Sequence, residues 1–263
     1  MSSKRKNRAK KTSKKGIYVL PNLFTSASLF SGFYSIIASI QGRYETAAIA
    51  ILVSCLFDGL DGKVARFTHA TSEFGSEYDS LSDLVAFGVA PGILAFQWAL
   101  EPFGRLGWLA CFMFVICGAL RLARFNVQKY TQDANYFKGL PIPAAAGFIA
   151  SLVLFIMTVG GLEGYRHAVI IALIYILAFL MVSTLYYPSF KELELKKKKP
   201  FNVLVAIILV FMVIAYQPKI MLFLILTAYI VSGPVVSIYR LRKSQRAPDP
   251  LLDEVFPVEN HKE

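Results

Sequence analysis

Residues Asp58 to Asp83 read DGLDGKVARFTHATSEFGSEYDSLSD, with long apolar runs on both sides. The stretch sets four carboxylates, Asp58, Asp61, Asp79 and Asp83, among glycines and small residues in a chain otherwise suited to lipid. A charged side chain at membrane depth costs about 2.5–3.5 kcal/mol on insertion scales, so four in one place require a shared partner. The partner that best accommodates four acidic oxygens is a divalent cation, or two of them. At about 100° per residue, a helix through 58–66 aligns Asp58, Asp61, Gly62 and Ala65, and a second carries Gly75, Asp79 and Asp83 along one stripe. Residues 67–74 (FTHATSEF) form the turn between them. Two antiparallel helices joined this way point all four acids into one gap, where they repel one another unless cations fill it.

The flanks fix the fold class. The chain is 56% hydrophobic and 14% aromatic, a membrane composition. Eight apolar stretches approach the roughly 20 residues of a spanning helix: Leu20–Ile40, Tyr44–Phe57, Leu84–Leu100, Gly107–Leu122, Pro141–Val159, His167–Tyr187, Phe201–Tyr216 and Ile220–Tyr239. The second and third look short because each continues into the Asp-bearing segment. The expectation is an all-α polytopic membrane protein of about eight transmembrane helices. Its parts are a basic tail (1–16), a membrane core (17–190), a loop with two additional helices (191–239) and a disordered tail (240–263). The first 16 residues resemble the start of a signal peptide, but the following apolar run is long and lacks a persuasive cleavage site, so it reads as a retained helix.

Charge predicts the orientation. With both termini cytoplasmic, the basic residues fall in the N-terminal tail, the Asp-rich connection, the segments after the fourth and sixth helices and the C-terminal tail. Only Arg43, Arg105, Arg166 and Lys219 lie outside. That satisfies the positive-inside rule and sets the acids at the cytoplasmic boundary of the cell membrane. The net charge of +11 fits anionic lipid headgroups, including at Lys196–Lys199, more simply than nucleic acid. Cys55, Cys111 and Cys117 fall inside apolar helices and read as packing residues rather than a disulfide framework.

Around the acids, Gly62, Ala65 and Gly75 leave room for a ligand, Arg66 can pair with an anion, and Thr68, Thr71 and Ser72 offer hydroxyls at the turn. The set suggests a phosphorylated ligand bridged by metal. Taken singly, small residues also serve helix packing, and Asp79 could cap a helix.

The pattern D-x-x-D-G-x-x-A-R, eight residues, then G-x-x-x-D-x-x-x-D resembles the signature of the CDP-alcohol phosphatidyltransferase family. All eight fixed positions are present: Asp58, Asp61, Gly62, Ala65, Arg66, Gly75, Asp79 and Asp83. The resemblance covers about the first 190 residues. It implies a six-helix core, a site of two metal ions (Mg²⁺ or Mn²⁺) facing the cytoplasm, and a homodimer. It further implies that Asp58, Asp61, Asp79 and Asp83 hold metal, that Asp83 also acts as general base, and that Gly62, Arg66 and Ser72 contact the CDP part of a CDP-diacylglycerol donor, with Ala65 and Gly75 leaving it room.

Four further stretches resemble a branch of that family whose acceptor is L-serine: LPNLFT (20–25), DSLSDLVAFGVAP (79–91), ALRLARFN (119–126) and GLPIPAAAG (139–147). Asn22 is the candidate nucleotide contact in the first. An Asn commonly stands near Ser28 and a Ser near Ala86 in that branch, and this chain departs from both. The implied reaction transfers a phosphatidyl group to serine and releases CMP. Arg121 and Arg124 are candidates for the serine carboxylate, or equally for membrane anchoring. Pro141 and Pro143 either shape the acceptor pocket or simply start a helix. His69, in the turn, could contact phosphate but reads more simply as a surface residue. Two other readings stand beside this one: the same chemistry on glycerol phosphate or inositol phosphate, and a cation or proton transporter built on intramembrane carboxylates. The latter is disfavoured because no repeat is visible and the acids lie at the membrane edge.

Overall fold

The computed structural model describes residues 19–68, 72–128, 136–160, 166–188 and 217–244. The seventh expected span (201–216), His69, Thr71, Lys196–Lys199 and most of both tails lie outside them. The described chain is helical apart from two three-residue strands. Helix α1 spans Val19–Ile40, α2 Tyr44–Phe67, α3 Glu73–Phe103, α4 Arg105–Gln128, α5 Ile142–Val159, α6 Arg166–Val182 and α7 Pro218–Ser244. Among the described residues, five helices are long and apolar enough to cross a membrane: α1, α3, α4, α5 and α7. The protein is therefore an all-α polytopic membrane protein. Large apolar side chains such as Phe30, Phe33, Phe112 and Phe179 are exposed, as lipid-facing residues are in a helical bundle.

The second and third spans do continue through the acidic segment. Helix α2 extends to Phe67, and α3 begins at Glu73, N-capped by Ser72, whose hydroxyl accepts from the Gly75 amide at 3.0 Å. Asp79 therefore lies inside the helix and is not its cap. Beyond Asp83, α3 is π-helical over Leu84–Val89, α-helical over Ala90–Ala95, π-helical again over Phe96–Leu100 and ends in a 3₁₀ turn, Glu101–Phe103. A π segment widens the turn and so changes which face α3 presents immediately after its acids.

Helices α1 and α2 form an antiparallel hairpin closed at Gly42, whose φ of +75° is one that glycine adopts without strain. Their seam is a serine ladder. Ser31 donates to the Ala50 carbonyl (2.7 Å) and Ser35 to that of Ala47 (2.9 Å), while the Ser28 and Ser54 hydroxyls meet at 2.7 Å. Small hydroxyl residues let the helices approach closely and satisfy their own polar atoms. On another face of α1, a Cβ added at Gly32 would lie 2.6 Å from the Ala86 Cα. Backbone cannot swing aside, so Gly32→Ala is expected to destabilise the protein by about 1–3 kcal/mol. A lower melting temperature in detergent would show it.

Pro141 N-caps α5 (φ −57°, ψ 135°) with Pro143 in its first turn, and Gly160 closes it with φ +89°. Both prolines occupy positions where the missing amide donor costs nothing. The core between α3, α4, α5 and α6 is filled by Phe87, Phe114, Ile142, Ile149 and Ile174. Strands β1 (Tyr136–Lys138) and β2 (Tyr186–Pro188) pair antiparallel where α4 and α6 end. Helix α4 runs six residues past the expected Leu122, so Arg124 as well as Arg121 lies within its final turns.

Candidate active site

The acids converge from two helices. One carboxylate oxygen of each of Asp58, Asp61 and Asp79 lies within 4.8 Å of the other two. Asp83, one turn beyond Asp79, is in electrostatic contact with Asp58, Asp79 and Asp61. Its Oδ1 is buried without a hydrogen-bond partner, and such an atom is costly unless something charged or polar meets it. An all-oxygen donor set with a converging geometry fits a hard divalent cation. Asp58, Asp61 and Asp79 can hold a metal ion.

Thr25 orients the most buried acid. Its hydroxyl donates to Asp61 Oδ2 at 2.8 Å, and the Ser82 hydroxyl donates to the Thr25 carbonyl at 3.2 Å. This clamps α1 to both acid-bearing helices. Thr25 lies in LPNLFT, yet nothing in its local spacing tells that it meets a residue 36 positions away.

The expected ligand-facing small residues divide. A Cβ at Gly75 would sit 3.1 Å from the Ser72 hydroxyl and 3.4 Å from Asn22 Oδ1, whereas at Gly62 it would meet nothing within 4 Å. Asn22, Ser72 and Gly75 thus form one corner, and Gly62 borders open space. The Ser72 oxygen caps α3 by accepting from the Gly75 amide, which leaves its proton able to donate. Ser26 and Tyr78 hydroxyls join at 2.9 Å, and Tyr78 stacks on Phe74 with centroids 6.0 Å apart. The side chains of Ala65 and Arg66 lie outside the described residues.

The two arginines separate. Arg124 donates to the Val182 carbonyl at 2.9 Å, tying α4 to the end of α6. Arg121 lies within electrostatic reach of Asp83, and its Nε is buried with no hydrogen-bond partner. Asn126, one turn further, donates to the Ser80 hydroxyl at 3.0 Å and links α4 to the helix of Asp79 and Asp83. The three cysteines are free.

Residues 18–184 match the sequence profile of the CDP-alcohol phosphatidyltransferase family. The chain belongs to that family. Among similar proteins, one from Helicobacter pylori named CDP-diacylglycerol–serine O-phosphatidyltransferase is 43% identical over 195 residues, covering 74% of this chain and 82% of its own. An archaetidylserine synthase of Methanothermobacter thermautotrophicus is 41% identical over 172 residues, 64% of this chain and 69% of its own. A Saccharomyces cerevisiae protein with the same name as the Helicobacter one is 37% identical over 147 residues, about half of each chain. In this phosphatidyltransferase the family match ends before α7, which the fold nevertheless packs against α5 and β2.

Proposed function

We propose that this membrane enzyme transfers the phosphatidyl group of CDP-diacylglycerol to the hydroxyl of L-serine, releasing CMP and forming phosphatidylserine. The observation that carries the reading is the convergence of Asp58, Asp61 and Asp79 with Asp83 beside them, in a chain 43% identical to a protein named for that reaction. The names of the Helicobacter and Methanothermobacter relatives differ in the lipid and share serine, which supports the acceptor above the phosphorylated alternatives.

Asp58, Asp61, Asp79 and Asp83 would hold two divalent ions, Mg²⁺ or Mn²⁺. When bound, such ions neutralise the diphosphate and the departing CMP. Asp83 accepts the proton of the serine hydroxyl as its oxygen bonds to the lipid-bearing phosphorus. The bond from that phosphorus to the bridging oxygen breaks, and CMP leaves with the electron pair. Asn22, Gly62, Ala65, Arg66, Ser72 and Gly75 border the nucleotide. Arg121 receives the serine carboxylate in a charge-assisted hydrogen bond, with Arg124 holding the end of α6 behind it. The charge distribution supports both termini and the site facing the cytoplasm, and anionic headgroups offset the basic segments. Residues 17–190 form the catalytic core, and the working unit is a homodimer.

Thr25→Val keeps the side chain's shape and removes the hydroxyl donated to Asp61. Losing such an outer-shell hydrogen bond is expected to weaken divalent-metal affinity by about 10- to 100-fold, measurable by Mn²⁺ titration. The reading itself is tested by CMP release from purified protein in detergent given CDP-diacylglycerol, metal and one acceptor at a time. Release with serine alone supports it. Release only with glycerol phosphate or inositol phosphate would keep the reaction class and overturn the acceptor, and release with none would favour transport.

A further inference from the structure

The helices around the acids are fastened from two sides. On one side the Thr25 hydroxyl donates to Asp61 Oδ2 at 2.8 Å and the Ser82 hydroxyl to the Thr25 carbonyl at 3.2 Å, joining α1 to α2 and α3. The corner of Asn22, Ser72 and Gly75 lies between α1 and α3 as well. On the other side stands α4, which carries Arg121. Midway along, α4 meets α3 through close packing of Val115 and Cys111 against Gly92. Nearer the acids the contact is polar: Asn126 Nδ2 donates to the Ser80 hydroxyl at 3.0 Å.

The direction of that bond is fixed. The Ser80 hydroxyl gives its single proton to the Ser76 carbonyl at 3.0 Å, so it presents lone pairs to α4 and takes a donor there. The Asn126 amide therefore turns its NH2 towards α3. Ser80 directly follows Asp79, one of the three acids whose oxygens converge, and precedes Asp83 by three residues. Residue 126 meets 80 and residue 111 meets 92, so the two helices run antiparallel. From the Asn126–Ser80 bond, Asp83 lies three residues on along α3 and Arg121 five residues back along α4, rises of about 4.5 and 7.5 Å in the same direction. Each step ends at a buried polar atom without a hydrogen-bond partner among the described residues, Asp83 Oδ1 and Arg121 Nε. An acid and a guanidinium left open on adjacent helices suit an acceptor with a hydroxyl and a carboxylate, and their spacing depends on how α4 is tied to α3.

We infer that Asn126 is a positioning residue for the acceptor: through Ser80 it sets the distance between Asp83 and Arg121 that the serine hydroxyl and carboxylate span together. The metal-binding acids and the nucleotide corner are fastened from α1, without it. The inference rests on the serine reading above.

The test is steady-state kinetics of the full-length protein carrying Ser80→Ala, Asn126→Leu or both, with Ser80→Thr to restore the hydroxyl. Alanine is a good helix former, so Ser80→Ala does not weaken α3 itself. Each single variant is expected to lower kcat/KM for serine about fivefold, the size of one neutral hydrogen bond. Mn²⁺ affinity and the CDP-diacylglycerol KM should stay within about twofold. The double variant should lose no more than either single one, because both remove the same bond, and Ser80→Thr should recover most of the loss. Unchanged serine kinetics in Ser80→Ala and Asn126→Leu would overturn the inference. So would losses that add in the double variant, or equal damage to serine use, donor KM and Mn²⁺ affinity, as a merely structural link would give. Wild-type protein that uses only a phosphorylated alcohol would overturn the serine reading and this inference with it; a serine-using wild type with unaffected variants overturns this inference alone.

Discussion

Asp83→Asn is expected to lower the rate of CMP release by about 10³-fold, within the usual range for a positioned general base. Asparagine retains an oxygen where Asp83 faces Asp58 and Asp79, so the fold and much of the metal affinity survive. It cannot take a proton from the attacking hydroxyl. The deficit should therefore fall on kcat and resist added metal. Residual activity that returns fully at high Mn²⁺ would reduce Asp83 to a ligand and move the base elsewhere. The Arg121 guanidinium lies within electrostatic reach of Asp83, which adds a second consequence: with Asp83 neutral it loses that partner, so a modest rise in serine KM should accompany the loss in kcat.

Asp61→Asn is expected to fail differently. Asp61 is the most buried of the four acids, 6% exposed, and one of the three whose oxygens lie within 4.8 Å. Removing its charge takes away part of the field that holds a cation, and leaves the Thr25 hydroxyl donating to a neutral amide. Metal affinity should fall by more than the roughly 10- to 100-fold expected for an outer-shell change, and activity should recover in part as metal is raised. If both acids serve one centre, as proposed, the double variant should be far less impaired than the product of the single losses. Full additivity in the double variant would argue that Asp61 and Asp83 act independently. Mn²⁺ titrations and rates on all three variants separate these outcomes.

The acids and the helices that carry them were legible in the sequence because both signals are local. A four-residue spacing of Asp79 and Asp83 specifies a stripe, and apolar runs specify spans. Reading α2 and α3 through the acidic segment rather than stopping at its edge was correct for the same reason. What escaped was whatever depends on distant chain segments meeting. Thr25 reaches Asp61 across two helices, and Asn126 reaches Ser80 across 46 residues. No periodicity encodes such pairs.

The π-helical turns after Asp83 were also invisible. Their side chains are ordinary apolar residues, and the stretch packs Ala86 close against Gly32 and Gly88 towards Ile142. Ser72 at a turn fits the role of ligand hydroxyl and that of cap; its oxygen caps α3, a contact the turn composition alone does not distinguish. Arg121 and Arg124 look equivalent three residues apart in ALRLARFN. Only the end of α6 distinguishes them, by occupying Arg124 and leaving Arg121 beside the acids.

The most direct measurement follows phosphatidylserine formation from CDP-diacylglycerol and serine as Mn²⁺ is titrated into protein stripped with a chelator, with bound Mn²⁺ read by electron paramagnetic resonance in the same samples. Product formation should rise from zero together with bound Mn²⁺ in the wild type, and Asp61→Asn should shift both curves to higher metal. Full-rate product formation from stripped protein, or tight Mn²⁺ binding that Asp61→Asn leaves untouched, would contradict a carboxylate-held metal centre as the seat of phosphatidyl transfer.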